Sequence, residues 1–310
     1  MKTALLFAGQ ATQYVGMGRI LLDRYAEARE VFARADEALG ESLSRLILEG
    51  PEDLLMRTEN TQPAVLTVAC AAHSVLAARG FKPAVVAGHS LGEYGALVSA
   101  GSLCFEDAVR LTRRRGEYMQ AAVPLGVGAM AAVQRLDDDV IEAACAATPG
   151  YCAPAVFNAP KLTVISGETE AVKAASETLA NQGGIITPLA VSAPFHSQML
   201  APAARKLEFD LDNVEFGPLS SPYISNVDAE WIESSSAADI RQRLVRQVVG
   251  AVRWRESISL MFERGIERFW HVGPGRANLT HVKRQVRRAP TGSLDNEKDL
   301  DTVITELENR

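Results

Sequence analysis

Short apolar runs and longer amphipathic stretches alternate through the first part of the chain. Ala4–Phe7 is an uninterrupted apolar run of strand length, and Ala84–Ala87 is a second. Between and after them, apolar residues recur every three or four positions. That spacing predicts helices over Arg24–Leu39, Ala64–Ala78, Leu91–Ala100 and Glu106–Ala121. Buried strands alternating with helices predict a parallel sheet covered by helices, an α/β fold.

The pattern changes at Pro124-Leu-Gly-Val-Gly. From there the predicted order is strand Ala129–Val133, helix Asp137–Ala147, strand Cys152–Phe157, strand Leu162–Ser166, helix Glu168–Gln182 and strand Ile185–Val191. A β-α-β-β-α-β order is the ferredoxin-like split pattern. It predicts a small subdomain, 124–192, inserted into a larger unit made of 1–123 and 193–310. The α/β pattern resumes with strands near Tyr223–Ser225 and Arg268–Val272. Beyond Pro290 the chain is polar and charged, with a closing helix expected over Leu300–Leu307.

Composition narrows the class. The 310 residues are 47% apolar and 23% charged, as in a globular enzyme with a sizeable core. A net charge of −6 argues against nucleic acid as a partner. The apolar part of MKTALLFAGQ is too short for a signal peptide, and Pro63–Ala78 is too short to span a membrane. The four cysteines, Cys70, Cys104, Cys145 and Cys152, have no metal-ligand spacing. They read as buried free thiols in a reducing cytoplasm, with no metal site.

Candidate chemistry centres on Gly88-His-Ser-Leu-Gly92. Ser90 is the middle of G-x-S-x-G, with an apolar strand before it and a small-residue helix after it. This strand–turn–helix context is that of a nucleophile elbow in an α/β-hydrolase-like core. The plainer reading is a strand–helix turn that happens to hold a serine. A serine nucleophile needs a base, and the chain has five histidines. His73 lies on an apolar helix, His89 adjoins Ser90, and His271 and His281 flank Gly273-Pro-Gly275. His196 differs, because Ser192-Ala-Pro-Phe-His-Ser breaks regular structure where the insert returns, and catalytic residues favour such loops. On the helix Glu106–Ala121, Arg115 shares an apolar face with Ala108, Leu111 and Met119. A guanidinium there needs an anionic partner, either a protein carboxylate or a bound ligand.

Several segments occur together in one order: Phe7-Ala-Gly-Gln-Ala-Thr-Gln, Thr61-Gln-Pro-Ala, Gly88-His-Ser-Leu-Gly-Glu-Tyr, Arg115-Gly-Glu-Tyr-Met-Gln, Ser192-Ala-Pro-Phe-His-Ser, Arg246-Gln and Val272-Gly-Pro-Gly. From residue 2 to about residue 288 the chain resembles the malonyl-CoA:acyl-carrier-protein transacylase family, including the free-standing acyltransferases of polyketide assembly lines. The resemblance implies a ping-pong acyltransferase of polyketide or fatty-acid biosynthesis. It assigns Ser90 as nucleophile, His196 as base and then acid, and the N–H groups of Gln10 and Leu91 as the oxyanion hole. The backbone carbonyl of Gln247 would orient the histidine, and Arg115 would grip the malonyl carboxylate.

Leu91 and Phe195 resemble malonyl-selective members, in which a bulky Phe195 crowds an α-methyl group. Asn158 would either help hold substrate or serve as a turn residue. The chain departs from the family where Gly-Gln-Gly-Ser-Gln becomes Gly9-Gln-Ala-Thr-Gln13, and where Leu-Thr-Gly-Leu becomes Leu279-Thr-His-Val.

No bound cofactor is implied; coenzyme A thioester and the phosphopantetheine thiol enter as substrates. The implied partners are malonyl-CoA and an acidic acyl carrier protein, without nucleic acid or membrane. Two basic stretches are docking candidates or solvated faces: Arg241, Arg243, Arg246, Arg253 and Arg255, and Lys283, Arg284, Arg287 and Arg288. The competing functions are transfer of another acyl unit between carrier proteins, an editing acyl hydrolase, and a non-catalytic binding module.

Overall fold

The computed structural model describes residues 1–308 as a mixed α/β protein with two separate sheets. The larger sheet contains β1 (Thr3–Phe7), β2 (Val85–Gly88), β7 (Tyr223–Ile224), β8 (Trp231–Ile232), β9 (Arg268–Val272) and β10 (Thr291–Ser293). The smaller contains β3 (Gly128–Gln134), β4 (Cys152–Ala159), β5 (Leu162–Glu168) and β6 (Ile185–Pro188).

The large sheet runs β10-β9-β1-β2-β7-β8, parallel except for the edge pair β7/β8. All five residues of β1 are buried, as a strand covered by helices on both faces requires. Phe7 pairs with Gly88 on one side and Val272 on the other, so the carboxyl ends of β1, β2 and β9 lie level. The chain leaves β1 toward β2 and β7 and later returns to β1's other side at β9. This makes β1 a switch point, where ligands bind beyond the strand ends in open α/β sheets.

The small sheet is antiparallel in the order β6-β3-β5-β4, the split β-α-β-β-α-β arrangement. Its period-two alternation serves two cores. Ala131, Val133 and Ile165 face its own helices, Asp138–Ala147 and Thr169–Asn181, while Met130 and Val164 join the main core.

Three expectations need correction. The helix placed at Ala64–Ala78 begins at Thr58 and carries Pro63 inside it. Pro63 forgoes one helical hydrogen bond, and the early start puts Thr58 and Gln62 one turn apart on one face. The helix placed at Arg24–Leu39 runs over Ala26–Leu39, because an extended Tyr25 separates it from an unforeseen short helix, Arg19–Arg24. In the polar tail the closing helix expected over Leu300–Leu307 is present as Glu297–Glu308, burying Leu300, Val303 and Ile304, but an unforeseen strand, β10, precedes it and extends the sheet beside β9. Among the described residues, no helix is long and apolar enough to cross a membrane.

Candidate active site

β2 ends at Gly88, and helix Gly92–Ser99 starts only four residues later. Ser90 takes φ 53°, in the left-handed region that costs a non-glycine residue about 1–2 kcal/mol. The flanking glycines are needed for space, since neither has a positive φ. A Cβ on Gly88 would lie 1.9 Å from the Gly92 carbonyl group, and one on Gly92 would lie 2.6 Å from the Phe7 oxygen. The turn is therefore wedged between the start of its own helix and the end of β1.

The strained turn is held by side chains from distant parts of the chain. Asn226, just after β7, accepts from the Ser90 N–H at 2.8 Å and donates Nδ2 to the Gly88 carbonyl at 2.7 Å. Gln247 Nε2 donates to the Ser90 carbonyl at 2.8 Å and to Glu93 Oε2 at 2.8 Å. The Asn226 N–H also donates to Glu93 Oε2, at 3.3 Å. Burial pushes the Glu93 carboxyl up to about 7, against the pull of Gln247, Asn226 and the Arg115 charge.

His196 Nε2 lies 2.7 Å from Ser90 Oγ, and its Nδ1 lies 2.8 Å from the Gln247 carbonyl oxygen. A carbonyl can only accept, so Nδ1 carries the proton and the Nε2 lone pair faces the serine hydroxyl. Burial, reinforced by the Arg115 charge and opposed by the Gln247 carbonyl, pulls the His196 pKa down to about 3. The imidazole is therefore neutral at physiological pH, the form a general base requires. His196, like Ser90, has positive φ, at 56°.

Arg115 comes from the middle of helix Phe105–Ala122 and is buried. Its Nη1 donates to Gln62 Oε1 and its Nη2 to Gln247 Oε1, both at 2.8 Å; Nη2 also lies 3.4 Å from Ser90 Oγ. Both amide partners are neutral, and among the described residues no carboxylate comes within ion-pair distance. Burial pulls the guanidinium pKa downward, with partial compensation from Tyr94 and Glu93. The group is thus oriented by amides while its charge remains available 3.4 Å from Ser90 Oγ.

Gln10 follows β1. Gly9 lets this loop lie against the elbow, since a Cβ there would be 2.6 Å from the His89 oxygen. Among the described residues, the Gln10 and Leu91 backbone N–H groups donate to no other backbone or side-chain acceptor. The Gln10 side chain donates to Thr58 Oγ1 at 3.3 Å, and Thr58 meets Ser192 Oγ at 3.2 Å. Ala11 sits at φ 72°, a position at which glycine would be unstrained.

Phe195 is buried in the large core beside His196. Asn158 Oδ1 is 2.8 Å from His89 Nε2, and the His89 ring stands edge-on to Trp254. His73 packs near Phe7, and His271 Nε2 lies 3.0 Å from the Pro274 carbonyl. His281, in the departure from the family pattern, has its ring 6.0 Å from that of His89. Glu93, Asn226 and the side chains of Gln62 and Gln247 are the contributors that sequence reasoning missed. Glu93 and Gln62 lay inside quoted motifs, whereas Asn226, which follows a two-residue strand, carried no local signal.

Most of the first basic stretch is neutralised. Arg243 and Arg246 both reach Asp228, Arg253 pairs with Glu256, and Arg255 lies 2.6 Å from Asp138. Arg241 donates to the Val214 carbonyl. In the second stretch, Arg284, Arg287 and Arg288 share a groove with Glu267, at the amino end of β9 and the opposite end of the sheet from Ser90. Cys70, Cys145 and Cys152 are buried, but Cys104 is exposed, because it lies at the surface just before helix Phe105–Ala122. Among the described residues, no cluster of three or more histidine, cysteine and acidic side chains could hold a metal ion.

Residues 4–294 match the acyl transferase domain family. The malonyl CoA-acyl carrier protein transacylase of Escherichia coli is 42% identical over 98% of this chain and 99% of its own length. The Bacillus subtilis protein of the same name is 40% identical over 99% of this chain and 97% of its own. Among solved structures, a malonyl-transacylase in complex with its type II PKS acyl carrier protein aligns with TM-score 0.95 and 39% identity over the whole of both chains. An acyl carrier protein S-malonyltransferase from Vibrio cholerae aligns with TM-score 0.94 and 39% identity, over 98% of this chain and 100% of that one.

Proposed function

The chain belongs to the acyl transferase domain family of malonyl-CoA:acyl carrier protein transacylases, and from that premise we infer that it moves malonyl from malonyl-CoA to the phosphopantetheine thiol of an acyl carrier protein. The observation that carries the choice of acyl group is Arg115: a buried guanidinium held by two neutral amides, 3.4 Å from Ser90 Oγ. A ligand carboxylate supplies the missing counter-charge, and a planar fork suits its two oxygens.

His196 Nε2 takes the Ser90 proton as Oγ attacks the thioester carbonyl. The N–H groups of Gln10 and Leu91 hold the tetrahedral oxyanion. The C–S bond then breaks, and His196 returns the proton to the departing coenzyme A sulfur. In the second half-reaction the carrier thiol gives its proton to His196 and attacks the acyl-enzyme; the C–O bond breaks and Ser90 regains its proton. Malonyl-CoA and the carrier's prosthetic arm are substrates, and the chemistry calls for no resident cofactor.

Gln247 serves three groups at once: its carbonyl fixes His196, while its amide orients Arg115 and holds the Ser90 carbonyl. Phe195, immediately before His196, would restrict α-branched acyl units. Asn158, pinned by His89, would border the acyl pocket from the small sheet.

The finer architectural reading is an α/β-hydrolase-like catalytic domain of residues 1–123 and 193–310, with 124–192 as a ferredoxin-like insert. The elbow after β2 and the second apolar core support it. Fatty-acid or polyketide assembly in the cytoplasm is the fitting setting. An editing hydrolase acting on monoacyl groups is less well supported, because such substrates leave Arg115 without a partner.

The test is incubation with labelled malonyl-CoA. Malonyl mass is expected on the peptide containing Ser90, with none in Ser90→Ala, and holo carrier protein should remove it. Full labelling of Ser90→Ala would overturn the assignment.

A further inference from the structure

Cys145 and Cys152 lie outside the site just described. Cys145 is in the last turn of helix Asp138–Ala147, Cys152 opens β4, and both are buried in the small core. Their Sγ atoms are 3.6 Å apart, with the Cys152 thiol donating toward Cys145. A disulfide bond is about 2.05 Å long, so closure requires roughly 1.5 Å of approach.

The other two thiols are differently placed. Burial pushes Cys70 up to about 12, while burial and the Glu106 carboxylate push Cys104 upward. Cys145 moves the other way, because it accepts the Cys152 S–H. A thiolate is the form that reacts with an oxidant, and since the Cys152 S–H is aimed at the Cys145 sulfur, Cys145 is the sulfur placed to attack and Cys152 the one placed to resolve.

The residue before Cys152 touches the catalytic loop. The Gln198 N–H, two residues after His196, donates to the Tyr151 hydroxyl at 3.0 Å. The Tyr151 peptide has little slack. Its carbonyl accepts from the Glu168 N–H at 2.8 Å, and a Cβ on Gly167 would lie 2.0 Å from that oxygen. With its carbonyl pinned there, the Tyr151 peptide answers a shift of Cys152 by turning about that point, which moves the side chain whose hydroxyl meets Gln198.

We propose that Cys145 and Cys152 are a reversible, peroxide-driven disulfide site whose closure withdraws Tyr151 from the His196 loop and slows acyl transfer. The Cys145 thiolate attacks one oxygen of hydrogen peroxide, the O–O bond breaks, and the departing hydroxide takes up a proton as water. Cys152 sulfur then attacks the sulfenic acid; the S–O bond breaks, a second water leaves with the Cys152 proton, and the S–S bond forms. Two thiols are oxidised for each peroxide reduced, and a dithiol reverses the change.

The experiment uses the full chain carrying Cys104→Ser, which removes the exposed thiol. After peroxide, free thiols are expected to fall from the three remaining to one, and peptides containing Cys145 and Cys152 to be linked with loss of two hydrogen atoms. Malonyl transfer should fall roughly 2- to 10-fold, as loss of one supporting hydrogen bond implies, and recover with dithiothreitol. Adding Cys145→Ser should abolish the peroxide effect. Tyr151→Phe should lower kcat by a similar factor without changing KM for malonyl-CoA. Oxidation without a link, or a link that leaves transfer unchanged, overturns the proposal. The activity arm rests on the transferase function; the linked mass is read without acyl substrate, so the two failures are distinguishable.

Discussion

At the carboxyl edge of the large sheet, residues far apart in sequence converge on a strained turn, whereas the small sheet is built from one contiguous stretch of chain, residues 128–188. Ser90, His196 and Ala11 all sit at positive φ beside or within the first region. Many of its buried polar groups are bonded through Asn226, Gln247 and Gln62, while Arg115 Nε and Glu93 Oε1 are left without a partner among the described residues. The small sheet has its own core of Val133, Ile141, Ile165, Val172 and Leu179. It reaches the first region through the side-chain hydrogen bonds of Asn158 to His89 and Tyr151 to Gln198, and through Gly128, which lies against Pro194 of the His196 loop. The difference teaches where free energy is used. Burial of apolar surface stabilises the small sheet, while at the edge part of the stability offsets strain in the turn that carries Ser90.

The comparison can be broken at either region. Ile165→Ala removes a fully buried side chain from the small core and should cost about 2–5 kcal/mol of stability by chemical denaturation. The ratio of malonyl to acetyl loading should stay unchanged in the folded fraction. A changed ratio would mean that this sheet helps choose the acyl group. Asn226→Ala should act in the opposite sense. Loss of the two bonds that hold the elbow should reduce the acylation rate by about 1–3 kcal/mol in barrier, roughly 5- to 150-fold, with KM for malonyl-CoA nearly constant. A pure KM effect would instead make Asn226 a binding residue.

What was legible in the sequence follows the same division. The β-α-β-β-α-β order could be read because its strands are contiguous apolar runs and its helices keep their period, although β4 is bulged twice and β5 is buried almost throughout. G-x-S-x-G could be read because its strand, turn and helix are contiguous. Asn226 could not, since its partners Ser90 and Gly88 are more than a hundred positions away and its own strand has two residues. β10 was missed because Thr291-Gly-Ser293 is short and polar, and only its place beside β9 makes it a strand. The helix placed at Ala64–Ala78 runs back through Pro63 to Thr58, and this brings Gln62 onto Arg115.

Ala11→Gly gives the smallest expected effect. Removing the Cβ at φ 72° should stabilise the protein by about 1 kcal/mol, because glycine takes this conformation without strain. Thermal unfolding would check it, and a destabilised variant would show that the Ala11 methyl is held by packing.

The central claim is that Arg115 is set by neutral amides to receive an acyl carboxylate. Its most direct test is kcat/KM for malonyl-CoA and acetyl-CoA in the wild type and in Arg115→Ala. Malonyl transfer should fall by several kcal/mol in barrier, roughly a hundredfold or more, as expected for a lost charge-assisted bidentate contact in a dry pocket. Acetyl-CoA has no carboxylate to strand there, so its rate should hold or rise and the preference should invert. Equal losses for both substrates would contradict the account and make Arg115 a structural residue of the core.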